Sequence, residues 1–476
     1  MRRTPAATQT AGMSLLLPSS APSIPRFSGT LLTPDDEGYD AARAIFNGMY
    51  DRRPAIIARC TGVADVVAAV NFARDNGLEV AVRGGGHSVP GYASCDDGIV
   101  IDLSSMKGVF VDPEARTARA AGGVTWGEFD RETQVYGLAT TGGRITTTGI
   151  GGLTLGSGSG WLERKFGLTV DNLLSAQVVT AAGEIVTASE TENPELFWGL
   201  RGGGGNFGVV TSFEYRVHPL GPIVLGGLLA YPREQAAELL RVWSDHIQAA
   251  PDELGGGFAF LTAPPEEFVP EDVRGEPVCG VVVLYAGPVD IGEPVVQALK
   301  DALGPPALDL VMPMPYLVVQ QLLDNGNPPG RPQYWKSDTL MEMSDEAIEA
   351  LVEHANRIIS PYTIVVLEAK GGAIARVPED SMALIGRSPA FAFYGISQWE
   401  PGTDGDPHIA WARDFGAAMD PHSGRDIALN FVMDEGNERV QAAFGPEKYA
   451  RLVALKDQYD PENLFSRNQN IKPSGR

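Results

Sequence analysis

An apolar β-type run enters three consecutive glycines and then a histidine within residues 80–88 (VAVRGGGHS). Three glycines leave the backbone amides uncovered and free to adopt positive φ, which suits a turn that wraps a phosphate group. His87, one residue beyond the turn, can reach the rest of the same ligand. The competing interpretation is a glycine-rich hairpin with a solvated histidine, because short glycine motifs have many false positives. The surrounding sequence has to decide between them.

The acidic composition restricts the partners of the chain. Its 60 acidic and 37 basic residues give a net charge of -23. Nucleic acids and anionic membranes require a basic surface, so we expect neither as a partner. No apolar run approaches the roughly 20 residues that span a bilayer. The three cysteines form no close pair and the six histidines show no ligand spacing, so we predict neither disulfides nor a metal site.

The N-terminal residues 1–28 are rich in Ser, Pro, Thr and Ala, and we expect a flexible tail there. Arg2 and Arg3 resemble the start of an export signal, but the apolar stretch that follows, residues 12–18, is too short for a signal core. We therefore expect a cytoplasmic protein. The remaining chain is long enough for two or three domains.

A second glycine-rich stretch, residues 137–160, is predicted to be a long loop, which is either a linker or backbone that contacts a ligand. A linker would be flanked by polar sequence, whereas this stretch leads into Trp161 and Leu162, which favours the ligand interpretation. Gly203, Gly205 and Gly208 satisfy GxGxxG, but a strand-like alternation follows them, whereas a dinucleotide fingerprint opens a helix. We therefore reject a Rossmann site.

Hydrophobic periodicity predicts regular elements on both sides of these glycine segments. In the first part we predict a helix at 61–75 and strands at 79–82, 98–103 and 117–121, with parallel pairing. In the second part we predict helices at 233–249 and 344–359 and strands at 279–285, 363–369 and 391–399. The last fifty residues are predicted to form a strand at 427–432 and a helix at 448–459.

Five motifs occur in order along the chain: residues 83–88 (RGGGHS), 149–160, 167–172 (GLTVDN), 201–211 (RGGGGNFGVVT) and 459–471, which includes YDPENLF and NQNI. The ordered set resembles the berberine-bridge-enzyme-like FAD-linked oxidases of the vanillyl-alcohol-oxidase superfamily. The likeness covers nearly all of the chain after residue 29. It implies an α+β fold, with a PCMH-type FAD-binding domain of two α/β subdomains and a substrate domain whose antiparallel sheet is covered by helices. The implied ranges are 29–220 for the FAD domain, 221–425 for the substrate domain, and 426–476 for a segment that completes the FAD domain.

The same resemblance implies that His87 binds FAD covalently through the flavin 8α-methyl group, a link that tunes the redox potential. Backbone amides of the first two motifs would hold the pyrophosphate, and polar side chains further along would bond the ring or the ribityl chain. The predicted cofactor-binding residues are His87, Arg83, Gly84, Gly85, Gly86, Ser88, Thr148, Gly149, Gly151, Gly152, Gly156, Asp171, Asn172, Val210, Asn430 and Asn468.

The chain departs from the family pattern in three places. Many relatives carry a second flavin link, a cysteine before the second glycine-rich stretch, but residues 142–148 (GGRITTT) contain none, so we predict single linkage, as in some bacterial members. Relatives often place a tyrosine base beside the position of Asn430, where this chain has Phe431. An acidic base found elsewhere in the family is replaced by Ala392. The family's base therefore cannot be transferred.

The strand predicted at 391–399 supplies other candidates. Period-2 alternation places Tyr394 and Gln398 on the same face as Ala392, and Glu368 lies on a neighbouring predicted strand. A tyrosine phenol near the flavin can deprotonate or orient a substrate hydroxyl; the alternative is a half-buried core tyrosine. For Glu368 the alternative is a structural salt bridge to Lys370 or Arg376. An amine substrate could need no base.

The sequence thus predicts an FAD-dependent oxidoreductase that takes a hydride from a small organic substrate, an alcohol, sugar or amine. O₂ is the expected electron acceptor, giving H₂O₂, because Thr148 falls near the segment that gates oxygen access and is small. The alternatives are a dehydrogenase with another acceptor, a secondary-metabolite oxidase or cyclase, and an inert flavin-binding protein.

Overall fold

The structure, a computed structural model, describes residues 23–267, 269–424, 426 and 428–475. Most of the predicted tail and the first residue of the strand predicted at 427–432 lie outside these ranges. Within them, no helix combines the length and the apolar character that crossing a membrane requires.

The first part of the chain folds around two sheets. The elements in chain order are β1 (Thr30–Leu32), α1 (Tyr39–Arg43), β2 (Ile56–Arg59), α2 (Val63–Asp75), β3 (Val80–Arg83), β4 (Ile99–Asp102), β5 (Val109–Asp112), β6 (Thr117–Ala121), α3 (Trp126–Gln134), β7 (Leu138–Ala139), α4 (Ile150–Gly156), α5 (Glu163–Phe166), β8 (Leu173–Val179), β9 (Ile185–Ser189), α6 (Pro194–Leu200), β10 (Val209–Arg216) and β11 (His218–Pro219).

The first sheet has the order β1-β2-β4-β3, and its last three strands are parallel, as predicted. The apolar face of α2 covers it through Val66, Ala69 and Val70, in agreement with the predicted helix. The second sheet, β5-β6-β10-β8-β9, is antiparallel. β10 follows the GxGxxG residues directly, which agrees with the rejection of a Rossmann turn.

The second part forms a larger sheet, and the final segment returns to the first part. The elements are β12 (Ile223–Pro232), α7 (Ala236–Ala249), β13 (Leu254–Thr262), β14 (Pro277–Tyr285), α8 (Val289–Leu303), β15 (Leu308–Asp309), β16 (Met312–Pro315), α9 (Tyr316–Gln320), β17 (Gln333–Leu340), α10 (Asp345–Ala355), β18 (Ile364–Ala369), α11 (Ala373–Arg376), β19 (Phe391–Gln398), α12 (Asp406–Met419) and α13 (Asn437–Tyr459).

The large sheet is antiparallel, with the order β15-β12-β14-β13-β18-β19-β17 and β16 beside β12. Alternate residues on its strands, such as Phe258, Leu367 and Phe393, pack with Trp243 of α7 and Phe415 of α12 in one buried core. One face of the sheet is therefore covered by helices, as the α+β prediction requires. The other face is turned toward the glycine-rich segments.

Two predicted elements are wrong. The stretch at 137–160 is not loop throughout, because residues 150–156 form α4 despite three glycines; Ile150, Thr154 and Leu155 are buried, and burial overrides the poor helix propensity of glycine. The strand predicted at 427–432 is a 3-10 turn at Leu429–Phe431. The Gln469 amide donates to the carbonyl groups of Leu429 and Val432, which replaces strand pairing.

The division into domains at residues 220 and 425 stays a prediction.

Candidate active site

A cavity of about 1270 Å³ lies between the glycine-rich segments and the uncovered face of the large sheet. This exceeds the range of about 300–1,000 Å³ typical of a single-ligand pocket. One wall is mostly glycine backbone from residues 84–88, 149–156 and 202–206. The opposite wall carries side chains of β13, β18 and β19. The volume and the two kinds of wall suit a large cofactor with a second molecule beside it.

The glycine wall depends on a close contact between the first two motifs. A Cβ atom on Gly85 would lie 2.2 Å from the amide nitrogen of Gly149, and the reverse substitution meets the same obstacle. Gly86 has φ of 76°, a conformation that favours glycine. Here the glycine requirement follows from backbone contact and from one left-handed residue. Gly151, Gly152 and Gly156 belong to α4 and have no positive φ.

The cavity wall fits a ligand as large as FAD. Gly152 is exposed to the cavity, and in the described part of the chain no atom of another residue lies within 4 Å of the position that its Cβ would occupy. Two other lining residues, Asn468 and Gln398, each have a buried side-chain atom without a hydrogen-bond partner among the described residues, Oδ1 and Nε2 respectively. Buried polar atoms normally have partners. These atoms are therefore available to a bound cofactor or substrate.

His87 lies where the two glycine motifs meet. Its Nε2 is 2.9 Å from Oγ1 of Thr147 and its Nδ1 is 3.3 Å from Oγ1 of Thr148. The imidazole stacks on Phe46 with 3.8 Å between ring centroids. Burial lowers the pKa of His87 to about 4, so the ring is neutral at pH 7 and keeps one nitrogen lone pair.

Most of the predicted cofactor-binding residues line this cavity. They are Gly84, Gly85, Gly86, His87, Ser88, Thr148, Gly149, Gly151, Gly152, Gly156, Val210, Asn430 and Asn468. Gly156 also makes room for Asn430, since a Cβ on Gly156 would lie 2.4 Å from the Asn430 amide carbon.

Arg83, Asp171 and Asn172 do not line the main cavity. Arg83 forms a buried ion pair with Asp102 at 2.7 Å beneath the first motif. Asp171 pairs with Arg387, and its two oxygens lie 2.5 and 3.2 Å from the guanidinium.

The Asn172 amide donates to the carbonyl groups of Phe166 and Leu168. The three side chains therefore hold loops in place, because each finds its partners inside the protein. The predicted contacts with the cofactor, through the backbone for Arg83 and through the side chains for Asp171 and Asn172, stay predictions.

Glu368, Tyr394 and Gln398 all line the opposite wall. The Tyr394 hydroxyl donates to Glu368 Oε2 at 3.0 Å, and the Ser159 hydroxyl donates to the same oxygen at 2.9 Å. Glu368 Oε1 lies 2.6 Å from Nη1 of Arg144. From the sequence, the alternative salt-bridge partner of Glu368 is Lys370 or Arg376. In the structure the partner is Arg144, which belongs to the glycine-rich wall.

Arg144 links the two walls and was missed in the sequence. Its Nη2 lies 3.3 Å from Glu163 Oε1, and its guanidinium lies 4.9 Å above the Trp161 ring. Ser159 Oγ also lies 2.6 Å from Glu163 Oε2, so its single hydroxyl proton is shared between Glu163 and Glu368. One feature of the sequence could have identified Arg144: it is the single charged residue in a segment of glycine and threonine. If such a residue is buried, its charge needs a carboxylate partner.

The pKa values of Tyr394 and Glu368 are both shifted by their surroundings. Burial, reinforced by the Glu368 charge, raises the pKa of Tyr394 well above its usual value, so Tyr394 keeps its proton and donates it in the hydrogen bond to Glu368. Burial also raises the pKa of Glu368, although Arg144 opposes the shift. A raised pKa brings the carboxyl of Glu368 closer to neutral pH and takes the phenol of Tyr394 further from it, which favours Glu368 as the candidate base.

Comparison with known proteins agrees with this geometry. Residues 54–189 match the family model of the FAD binding domain, and residues 425–472 match that of berberine and berberine-like proteins. The (R)-6-hydroxynicotine oxidase of Paenarthrobacter nicotinovorans is 34% identical over 467 residues, which cover 94% of this chain and 97% of that protein. An FAD-linked oxidoreductase of Dictyostelium discoideum is 30% identical, covering 88% and 89%. The crystal structure of 6-hydroxy-D-nicotine oxidase from Arthrobacter nicotinovorans has a TM-score of 0.83 at 32% identity, covering 94% of this chain and 98% of that one.

The fold and the matches define an FAD-dependent oxidoreductase. The chain belongs to the berberine-bridge-enzyme-like family of FAD-linked oxidoreductases. The resemblance, the α+β fold, the enzyme class and FAD as the cofactor are thereby confirmed.

Proposed function

We propose that this enzyme oxidises a small organic amine or alcohol and that Glu368 accepts the proton that the substrate loses. The observation that carries the proposal is the buried group of Arg144, Glu368 and Tyr394, which lies in the same cavity as the glycine wall. The bound FAD supplies the chemistry of accepting a hydride from the carbon that bears the nitrogen or oxygen. Residues 29–220 and 426–476 hold the cofactor in this proposal, and residues 221–425 supply the opposite wall.

Glu368 acts as the general base through its Oε2 side. Arg144 holds Oε1, so the carboxylate is fixed in orientation. Tyr394 donates to Oε2, and the Ser159 hydroxyl proton is shared between this oxygen and Glu163. A substrate N–H or O–H that enters hydrogen-bond distance of this carboxylate can transfer its proton there. Tyr394 stabilises the ionised carboxylate by donating to it. An amine would bind as an ammonium and become neutral by this transfer, and a neutral amine can lose a hydride directly.

The carboxylates of this site are accompanied by cations. Arg144 lies between Glu163 and Glu368, and Lys370 and Arg164 are close enough to interact with Glu368 and Glu163 respectively. The choice of an amine therefore rests on the carboxylate that can accept its proton, not on the total charge. The similar oxidase of Paenarthrobacter nicotinovorans is named for hydroxynicotine, which is an amine. This likeness supports the amine within the proposal.

His87 is proposed to carry FAD through one covalent bond to the flavin 8α-methyl carbon. The support is its neutral imidazole at the meeting point of the two glycine motifs, held by Thr147 and Thr148. Residues 142–148 contain no cysteine that would form a second bond. Acid-precipitated protein should remain yellow, and a tryptic peptide that contains His87 should carry the FAD mass. A cysteine peptide with that mass would refute single linkage.

O₂ is proposed as the electron acceptor, with H₂O₂ as product. Thr148 lines the cavity beside His87, and its small side chain leaves room for O₂. The deciding experiment mixes the holoenzyme anaerobically with panels of amines, alcohols and sugars and follows bleaching of the flavin absorption. Bleaching by amines and recovery with H₂O₂ release on admission of air is expected. Bleaching without recovery in air would identify a dehydrogenase, and no bleaching by any panel would contradict the proposed reaction.

A further inference from the structure

The cavity continues past Glu368 along the uncovered face of the large sheet. Strand register sets Glu368 beside Gly257 of β13, Gly257 beside Val282 of β14, and Val282 beside Leu228 of β12. Directly paired residues point to the same face of a sheet. Gly257, Val282 and Leu228 line the same cavity as Glu368, so this row leads from the reacting group toward the edge of the sheet.

A second row runs parallel to the first. Tyr394 is paired with Val366, Val366 with Ala259, and the row continues to Gly280 and Ala230. Ala259 and Val366 are half-buried and line the cavity. The surface of β13 and β14 forms the floor of the cavity, and the small side chains there leave space above it. Leu228 and Leu261 cover Gly280, because a Cβ on Gly280 would lie 2.8 Å from Leu228 and 3.3 Å from Leu261.

The floor is almost without polar side chains. The lining residues that β12, β13 and β14 contribute are apolar apart from Thr262. Three strand spacings of roughly 4.8 Å separate β18 from β12, which gives a path of about 14 Å. Where β13 and β14 meet the turn that joins them, Leu261, Val269, Val273 and Val278 belong to a small apolar cluster.

We propose that the substrate carries an extended apolar group, and that this group lies across β13 and β14 while the amine or alcohol end meets Glu368. We call this path, lined by Leu228, Gly257, Ala259, Leu261 and Val282, the apolar channel. Sugar hydroxyls laid on it would lose hydrogen bonds to water without replacement, so the channel selects against saccharides. The inference rests on the proposed function and narrows its substrate class.

The test uses n-alkylamines and n-alkanols from four to twelve carbons, added to the holoenzyme, with binding read from perturbation of the flavin spectrum. Affinity should rise up to about fourfold for each methylene that is fully buried and stop rising when the chain fills the path. Leu228→Asn, of similar size, and Ala259→Phe, which narrows the channel, should both flatten this dependence. Ile359→Asn is the control, since Ile359 is 54% exposed and does not line the cavity.

Chain length and head group report separate claims. Glu368→Gln should keep the dependence on chain length while losing flavin reduction, so failure of the proposed reaction leaves the channel measurable. Melting temperatures of the variants within a few degrees of the parent exclude misfolding. If one channel variant fails to fold, the other variant is sufficient for the test. Affinity that is independent of chain length in the parent, or an equal dependence in both channel variants, would overturn the channel.

Discussion

The two walls of the cavity differ in what they present to a ligand: one presents mostly backbone and the other presents side chains. The wall of residues 84–88 and 149–156 is mostly backbone, and its glycines are fixed by contacts such as the one between Gly85 and Gly149. The wall of β13, β18 and β19 acts through side chains, with Glu368 and Tyr394 as its polar centre. Backbone amides recognise a constant group such as a phosphate, whereas side chains can change with the substrate. Arg144 is the exception, because it belongs to the backbone wall but its side chain forms an ion pair with Glu368 of the opposite wall.

The strongest test of this contrast is Glu368→Gln. The amide keeps the shape but cannot accept the substrate proton, so we expect the rate of anaerobic flavin reduction to fall by about 10²–10⁴-fold. Flavin content should not change, because Glu368 belongs to the substrate wall. Glu353→Gln, on an exposed ion pair with Arg357, is the control. A loss of flavin in Glu368→Gln would show that the walls are not independent.

Gly152→Val tests the backbone wall. Its side chain would enter open cavity space without meeting a protein atom at Cβ, so the protein should fold and contain flavin well below one equivalent. Gly62 also has open space around its Cβ position but lies away from the cavity, and Gly62→Val should keep full flavin.

Gly85→Val completes the comparison. Its Cβ would collide with the backbone of Gly149, so both the melting temperature and the flavin content should fall. The flavin content of each purified variant is read from the ratio of its visible flavin absorption to its ultraviolet protein absorption. Full flavin in Gly152→Val with unchanged stability would remove that position from the cofactor site.

Tyr394→Phe should have a smaller effect than Glu368→Gln. It removes one hydrogen bond to the ionised form of Glu368, an interaction worth about 1.5–3 kcal/mol, so flavin reduction should slow by about 10- to 150-fold at pH values where Glu368 then stays protonated. The pH profile is the sharper measurement: without the donor the pKa of Glu368 should rise, and the acidic limb should move to higher pH. A rate loss as large as that of Glu368→Gln would return the base to Tyr394.

The sequence predicted the backbone wall far better than the side-chain wall, for a physical reason. Residues 84–88 and 149–156 are each continuous, so their glycines and His87 can be recognised locally. Ser159 and Glu368 are 209 residues apart in the chain, and only the assembled fold brings them and Arg144 together. Strand alternation did place Tyr394 and Gln398 on the cavity face. It could not reveal that Asp171 and Asn172 would be satisfied by Arg387 and nearby carbonyl groups.

Asp130 offers the last test, because it supports the Arg144 segment without lining the cavity. It is fully buried on α3, and Gln320 of α9 donates to its Oδ2 at 2.6 Å and to the Gly143 carbonyl at 3.4 Å. Burial raises the pKa of Asp130 to about 7. Since the unfolded value is about 3.9, the folded state holds the proton more tightly, and the free energy of unfolding should fall as pH rises from about 4 to about 7.

Asp130→Asn should remove this dependence while leaving flavin reduction nearly unchanged. Asp130 Oδ1 and Gln320 Oε1 are both buried, and neither has a hydrogen-bond partner among the residues that the structure describes. The asparagine amide supplies a donor that the ionised carboxylate lacks. We expect the variant to match the parent near pH 5 and to exceed it by about 1–3 kcal/mol at pH 8, the usual cost of an unsatisfied buried group, in urea unfolding at both pH values. Asp75→Asn, on an exposed ion pair with Arg74, is the control. A variant less stable than the parent at pH 8 would mean that Asp130 is held ionised, and that its charge stabilises the segment that carries Arg144.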